Sequence, residues 1–271
     1  MSRRWGELAT AALLVSAGSG FVVAYHYEAA DAFGSAVAID ALLPFGGFWR
    51  ALHFYSSQAF VLLLLVHTWQ MLDEATLDRQ HNGRWWLLVA LLPMGVLALF
   101  TGYVLRADAT GLAAGAVAEH LALAVPVAGP ALDRLLFAVS LEGLNRVYVV
   151  HYLLTALLWG LGTWYHTRRV LVGRRELALI LGVTGAAAAL VRAPMDAPGA
   201  APDLIHGPWF FLAVQELLRH LPPLAAGVVY PAVPVAALGL MPLARARRPL
   251  WWLLGLWGAS YLVLTAVAWL R

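Results

Sequence analysis

Four histidines fall in two apolar stretches at nearly matched intervals: His53 and His67 within LHFYSSQAFVLLLLVHTW, and His151 and His166 within VHYLLTALLWGLGTWYHT. Imidazole is the commonest metal ligand among side chains, binding through the ring nitrogen that lacks a proton. On an α-helix fourteen residues turn through about 320° and rise about 21 Å, so His53 and His67 project from nearly one face, one in each half of a bilayer. Fifteen residues turn through about 60° and rise about 22 Å. Two such helices running parallel set His53 against His151 across one gap and His67 against His166 across another. Each gap accommodates an iron between two imidazoles, and the arrangement suits two stacked haems. A six-coordinate iron has no open position and serves electron transfer rather than oxygen chemistry. A single histidine in an apolar helix often satisfies only a local hydrogen bond; four at paired spacings are hard to explain that way.

The solvent of the elements that carry these histidines follows from composition. The chain of 271 residues is 62% hydrophobic and 12% charged. Its apolar runs reach about twenty residues, the length a helix needs to cross hydrocarbon. The expected fold class is an all-α polytopic membrane protein: a four-helix dihaem bundle plus three further transmembrane helices. The spans are placed near 8–27, 49–71, 85–105, 146–168, 175–192, 222–243 and 249–270. The first lacks a small-residue cleavage site and is read as a span, not a removed signal.

All basic residues are arginine. Arg3 and Arg4 precede the first span, Arg79 and Arg84 separate the second from the third, Arg168, Arg169, Arg174 and Arg175 the fourth from the fifth, and Arg245, Arg247 and Arg248 the sixth from the seventh. The positive-inside rule puts these on the cytoplasmic side with the N-terminus. The second and fourth helices then run the same way, as the histidine pairing requires. No basic aromatic stripe argues for nucleic acid. The absence of cysteine excludes disulfides, thiolate-held iron–sulfur clusters and thioether-linked haem within this chain.

The outer connections are longer than turns. Residues 106–146 read as short amphipathic helices over the bundle, able to shape a pocket for a lipid-soluble substrate and a face for a partner. The segment 192–221 begins Pro-rich and ends in LIHGPWFFLAVQELLRHLPP, whose second half has the apolar stripe of an interfacial helix.

With these motifs in order, the chain resembles cytochrome b of the Rieske/cytochrome b (bc-type) quinol oxidoreductases over nearly its whole length. SGFVVAYHYEA is similar to the end of the family's first helix, FWRALHFYSSQAFVLLLLVHTW to its second, TGYVL to the end of its third and NRVYVVHYLL to its fourth. The resemblance implies a dihaem module over 1–172 fused to a three-helix C-terminal module over 173–271. It also implies two b-type haems, the outer on His53 and His151 and the inner on His67 and His166. Gly6, Gly20 and Gly102 would let a haem edge approach the backbone. The family has a further glycine where Leu88 stands. Arg50 and Arg146 would pair with haem propionates, or else snorkel to the interface.

The resemblance breaks at the outer quinol site. The family's Pro-Glu-Trp-Tyr motif reads Gly207, Pro208, Trp209, Phe210, so proline replaces the glutamate that accepts a quinol proton, and TGYVL is followed by Arg106-Ala107-Asp108 in place of Pro-Trp. Quinol oxidation releases protons as well as electrons and needs a base within reach of a hydroxyl. His206 and Glu216 are the substitutes read from the sequence, with Asp108, Glu119 and His120 as further candidates; Pro208, Trp209 and Phe210 would wall the pocket. Val172 stands where the family's inner quinone pocket would offer a polar group.

The resemblance implies an electron-transfer subunit of a quinol:cytochrome c type oxidoreductase complex in a bacterial plasma membrane, with its N-terminus cytoplasmic. Expected partners are membrane lipid, quinone and quinol, an extracytoplasmic cytochrome c or iron–sulfur subunit, other complex subunits and a second copy in a homodimer. Two rival readings stay open: a membrane-anchor dihaem cytochrome b of a dehydrogenase or hydrogenase, and a non-redox membrane scaffold.

Overall fold

The computed structural model describes residues 3–72, 83–137, 143–166, 172–197, 205–244 and 246–271, side chains at 3, 4 and 163–166 excepted. The His166 side chain and the orienting Arg79, Arg168, Arg169 and Arg245 therefore lie outside the described residues, as do the side chains of Arg3 and Arg4. The described residues are helical wherever they are regular. In a bilayer this is the expected solution, because a helix satisfies its own backbone hydrogen bonds.

The helices are α1 (Arg3–Tyr25), α2 (Ala32–Leu42), α3 (Gly46–Gln70), α4 (Arg84–Val104), α5 (Ala109–Leu123), α6 (Gly129–Leu136), α7 (Leu144–Leu157), α8 (Arg174–Leu190), α9 (Leu212–Leu217), α10 (Tyr230–Leu240) and α11 (Arg248–Trp269). α7 continues as a π-helical segment, Leu158–His166, and another π segment, Leu224–Val229, leads into α10. The described part of each of the seven expected spans is thus largely helical. Among the described residues, four helices are long and apolar enough to cross a membrane by themselves: Trp5–Tyr25, Gly46–Gln70, Arg84–Val104 and Arg248–Trp269. α11 leaves Trp252, Leu256, Leu262 and Val263 exposed, an apolar face suited to lipid.

The chain divides into two compact units, Met1–Arg106 with Tyr148–Met195, and Ala107–Val147 with Asp196–Arg271. In the first, α1 packs along α3, α8 lies against both, and α4 meets α3 and the π segment that follows α7. Small residues permit the close approach of α1 and α3: Ala9, Ala11, Ala12 and Ala51 are buried. Hydroxyls inside the bundle bond back to their own helices, as Ser56 does to Leu52 O at 2.6 Å and Thr68 to Leu64 O at 2.8 Å. In the second unit α9 and α10 pack on α11, and α5 packs on α6.

A helix that sequence reading placed nowhere, α2, fills the connection between the first two spans. It supplies Asp40, whose carboxylate accepts from Arg50 Nε at 2.6 Å and from a terminal nitrogen of the same guanidinium. Arg50 also donates to Ala193 O at 2.9 Å, and Arg106 reaches Pro194 O at 3.1 Å. The two arginines thus pin the segment after α8 to the ends of α3 and α4. At the start of the second unit, Asp108 caps α5 by accepting from Gly111 N at 2.8 Å and also accepts from Asp196 N at 2.9 Å. Asp196 returns the bond by accepting from Thr110 N at 2.8 Å. Asp108 is buried in this reciprocal clasp and serves structure.

Candidate haem and quinol sites

His53 on α3 and His151 on α7 face each other in the first unit, with ring centres 6.1 Å apart and planes at 81°. Each ring is held by its other nitrogen. His53 Nδ1 lies 2.8 Å from Ser16 O of α1. A carbonyl only accepts, so Nδ1 carries the proton and Nε2 keeps its lone pair. His151 Nδ1 lies 3.0 Å from Thr101 Oγ1 of α4. That hydroxyl has one proton, and Leu97 O at 2.9 Å and Ala98 O at 3.0 Å compete for it, so it accepts from the imidazole. Both histidines therefore present the same tautomer, with Nε2 free to ligate. Supporting bonds of this kind orient metal-bound imidazoles and raise their basicity.

This geometry fits a metal held between the rings. With a metal–nitrogen bond of about 2 Å on each side, two imidazoles on opposite faces of one metal place their ring centres roughly 6 Å apart. Among the described residues no cluster of three or more histidine, cysteine, aspartate or glutamate side chains is arranged to hold a bare ion. A haem brings four of its own nitrogens and needs only the two axial ones.

The glycines explain how the rings fit. A Cβ on Gly20 would stand 2.9 Å from His53 Cε1, one on Gly102 3.1 Å from His151 Cε1, and one on Gly6 3.1 Å from His67 Cε1. The glycines expected to admit a haem edge thus lie against the histidine rings themselves. About fourteen residues along α1 and α3 from the first pair, His67 borders a small apolar cavity of about 50 Å³. Gly6, Thr10, Phe60, Leu88, Leu158 and Gly162 are among its walls. Leu88, where the resembled family has glycine, lines this space, and Gly162 brings a small residue from the π segment.

That π segment also bears on the unequal spacing. An α-helix would turn the fifteenth residue about 100° past the fourteenth. Bonding from i to i+5 widens the turn, so each residue advances less in angle. Leu158–His166 adopt this geometry, which takes up rotation that the additional residue introduces.

The other candidate residues are spread over both units. Arg50 is engaged by Asp40 and the carbonyls already named, while Arg146 donates to Arg134 O at 3.1 Å in the second unit. In that unit His206 has its ring centre 6.5 Å from Trp269 near the end of α11. Glu216 on α9 is buried, with Arg271 at the same end of α11 reaching it at 3.4 Å. The structure thus brings His206 and Glu216 to one end of α11. Gln215 ties the intervening loop to α9, accepting from Gly207 N at 2.7 Å and donating to Ile205 O at 2.6 Å. Phe210 is buried and Trp209 more exposed, their rings edge to face at 5.6 Å. His120 Nδ1 lies 2.7 Å from Ala116 O of its own helix.

Sequence reading missed Ser16, Thr101, Gly162 and His220. Thr101 was visible as the residue before Gly102 in TGYVL, but its side-chain role depends on a neighbour fifty positions away. Thr101→Val keeps the shape and removes the acceptor, and should weaken haem retention ten- to a hundredfold. Titrating the apoprotein with haem measures this, and unchanged affinity would dismiss Thr101 as a support.

Residues 2–166 match the family model described as cytochrome b/b6/petB. The chain is 27% identical over 154 residues to cytochrome b6 of Heliomicrobium gestii, covering 55% of this chain and 72% of that protein. It is 29% identical to cytochrome b of Rhodospirillum rubrum over 57% of this chain but only 40% of that protein. Against cytochrome b of Arabidopsis thaliana it is 25% identical over 89% of this chain and 71% of the relative. In fold it is similar to a chain of a hyperthermophilic respiratory Complex III, with a TM-score of 0.67 and 18% identity over 99% of this chain and 84% of the other. A family match across more than half its length, carried on apolar helices long enough to cross a bilayer, makes this chain a membrane protein of the cytochrome b/b6 family.

Proposed function

We propose that the chain is the dihaem electron-transfer subunit of a membrane quinone/quinol oxidoreductase. The observation that carries this reading is the facing pair His53 and His151, each with Nδ1 occupied and Nε2 available. His53 and His151 would hold the outer haem, and His67 and His166 the inner. Bound there, two six-coordinate haems supply stepwise electron transfer between the two membrane faces. The protein's part is to fix imidazole orientation through Ser16 O and Thr101, and to keep water out with the apolar walls around His67.

Residues 1–172 form the dihaem module in this reading, in keeping with the reach of the family match, and 173–271 its C-terminal companion. The orientation is N-terminus inside, in a bacterial plasma membrane, from the arginine distribution. Partners are quinone and quinol, an extracytoplasmic cytochrome c or iron–sulfur subunit, other subunits and a second copy of the complex. Arg50 and Arg146 stay propionate candidates; Arg50 would have to share its guanidinium with Asp40. At the outer site, Pro208 offers no proton acceptor, and His206 and Glu216 take that role, with Trp209 and Phe210 as walls.

Anaerobic mixing of the purified complex with a short-chain benzoquinol tests the site. Haem reduction followed by absorbance should slow on the order of a hundredfold when the operating base is lost, in His206→Gln or Glu216→Gln. Wild-type rates in both variants would remove both residues as proton acceptors.

A further inference from the structure

Glu216 does not stand alone. Its side chain is only 4% exposed, yet one oxygen lies 3.2 Å from Nε2 of His220, whose side chain is 60% exposed. The two are one helical turn apart in sequence and bridge interior to surface. Arg271 at 3.4 Å and Arg219 at 3.9 Å are the other charged groups facing the carboxylate. They balance its charge, so it is not an isolated buried anion.

We infer that His220 is the proton exit from Glu216, carrying protons from the buried carboxylate to the outer aqueous phase; this role rests on Glu216 being a base of the outer quinol site. A buried base serves one turnover and must then be emptied. At rest Nε2 of His220 donates to the carboxylate at 3.2 Å. Once a quinol hydroxyl proton has neutralised Glu216, the exposed ring shifts its own proton from Nε2 to Nδ1 by exchange with water, and the freed Nε2 takes the proton from the carboxylic acid. The imidazolium then gives up the Nδ1 proton to water. The proton left on Nε2 restores the resting hydrogen bond to the carboxylate. No electron moves in this step, and the charge balance is that of one proton entering and one leaving. Imidazole suits the task because each of its two nitrogens can take up or release a proton. His220 acts through Glu216 and is a positioning and relay residue, not a catalytic one.

The test uses the purified complex, a short-chain benzoquinol and haem absorbance from pH 6 to pH 9. His220→Gln, with His220→Asn as a smaller second variant, should keep its haem content and slow quinol-driven reduction on the order of tenfold or more. Millimolar imidazole should recover most of that loss, because the position is open to solvent. Glu216→Gln should be slow and unmoved by imidazole. Wild-type rates in the His220 variants beside a slow Glu216→Gln would overturn the relay and leave the outer site standing, as would a loss that imidazole does not touch. A wild-type rate in Glu216→Gln would instead remove the base on which both rest.

Discussion

Replacing His53 with alanine should cut the haem content of the chain from two to one. The variant removes one axial nitrogen and leaves His151 with no partner across a 6.1 Å gap. The remaining imidazole cannot hold six-coordinate iron by itself, so the outer haem is lost while the site around His67 keeps its own. The reduced α-band absorbance should fall by about half, and a two-step potentiometric titration should become a single step, the loss of one ligand being the loss of one site. Full haem content in the variant would mean that His53 ligates nothing.

Gly20→Ala should produce nearly the same loss by a different route. The added Cβ would stand 2.9 Å from His53 Cε1 and 3.0 Å from Nδ1. The ring cannot swing clear without breaking its bond to Ser16 O at 2.8 Å. Disturbing a supporting contact of this kind lowers metal-site affinity ten- to a hundredfold. Gly18 provides the internal control, since a Cβ there meets nothing within 4 Å. Gly18→Ala should leave both haems in place and, in a helix interior, stabilise α1 by up to about 1 kcal/mol. Equal haem affinity in the two variants, measured by haem titration, would show that the glycine does not make room for the ring.

The paired histidines and apolar runs made the helical bundle legible from the residues alone. Periodicity and length are local properties, and they placed α1, α3, α4, α8 and α11, and α7 and α10 together with the π segments that adjoin them, to within a few residues. What escaped was set by distant partners. α2 lies in a stretch of small and apolar residues with no amphipathic stripe to announce it, and its Asp40 engages an arginine read from sequence as a propionate ligand or a snorkelling anchor. Asp108 looked like an available acid, but capping and a reciprocal bond with Asp196 occupy it. The π segment after Leu157 left no sequence mark beyond one residue too many between His151 and His166. Pro208 showed that the family's acid was missing, whereas the link from Glu216 to His220 required α9 to be seen as a helix with one end buried.

Whether two irons sit between four imidazoles in this chain is tested most directly by counting them. Haem extraction from the purified protein, with electron paramagnetic resonance of the oxidised state, should give two low-spin, six-coordinate haems per chain. One haem or none, or a high-spin signal from five-coordinate iron, would contradict this arrangement.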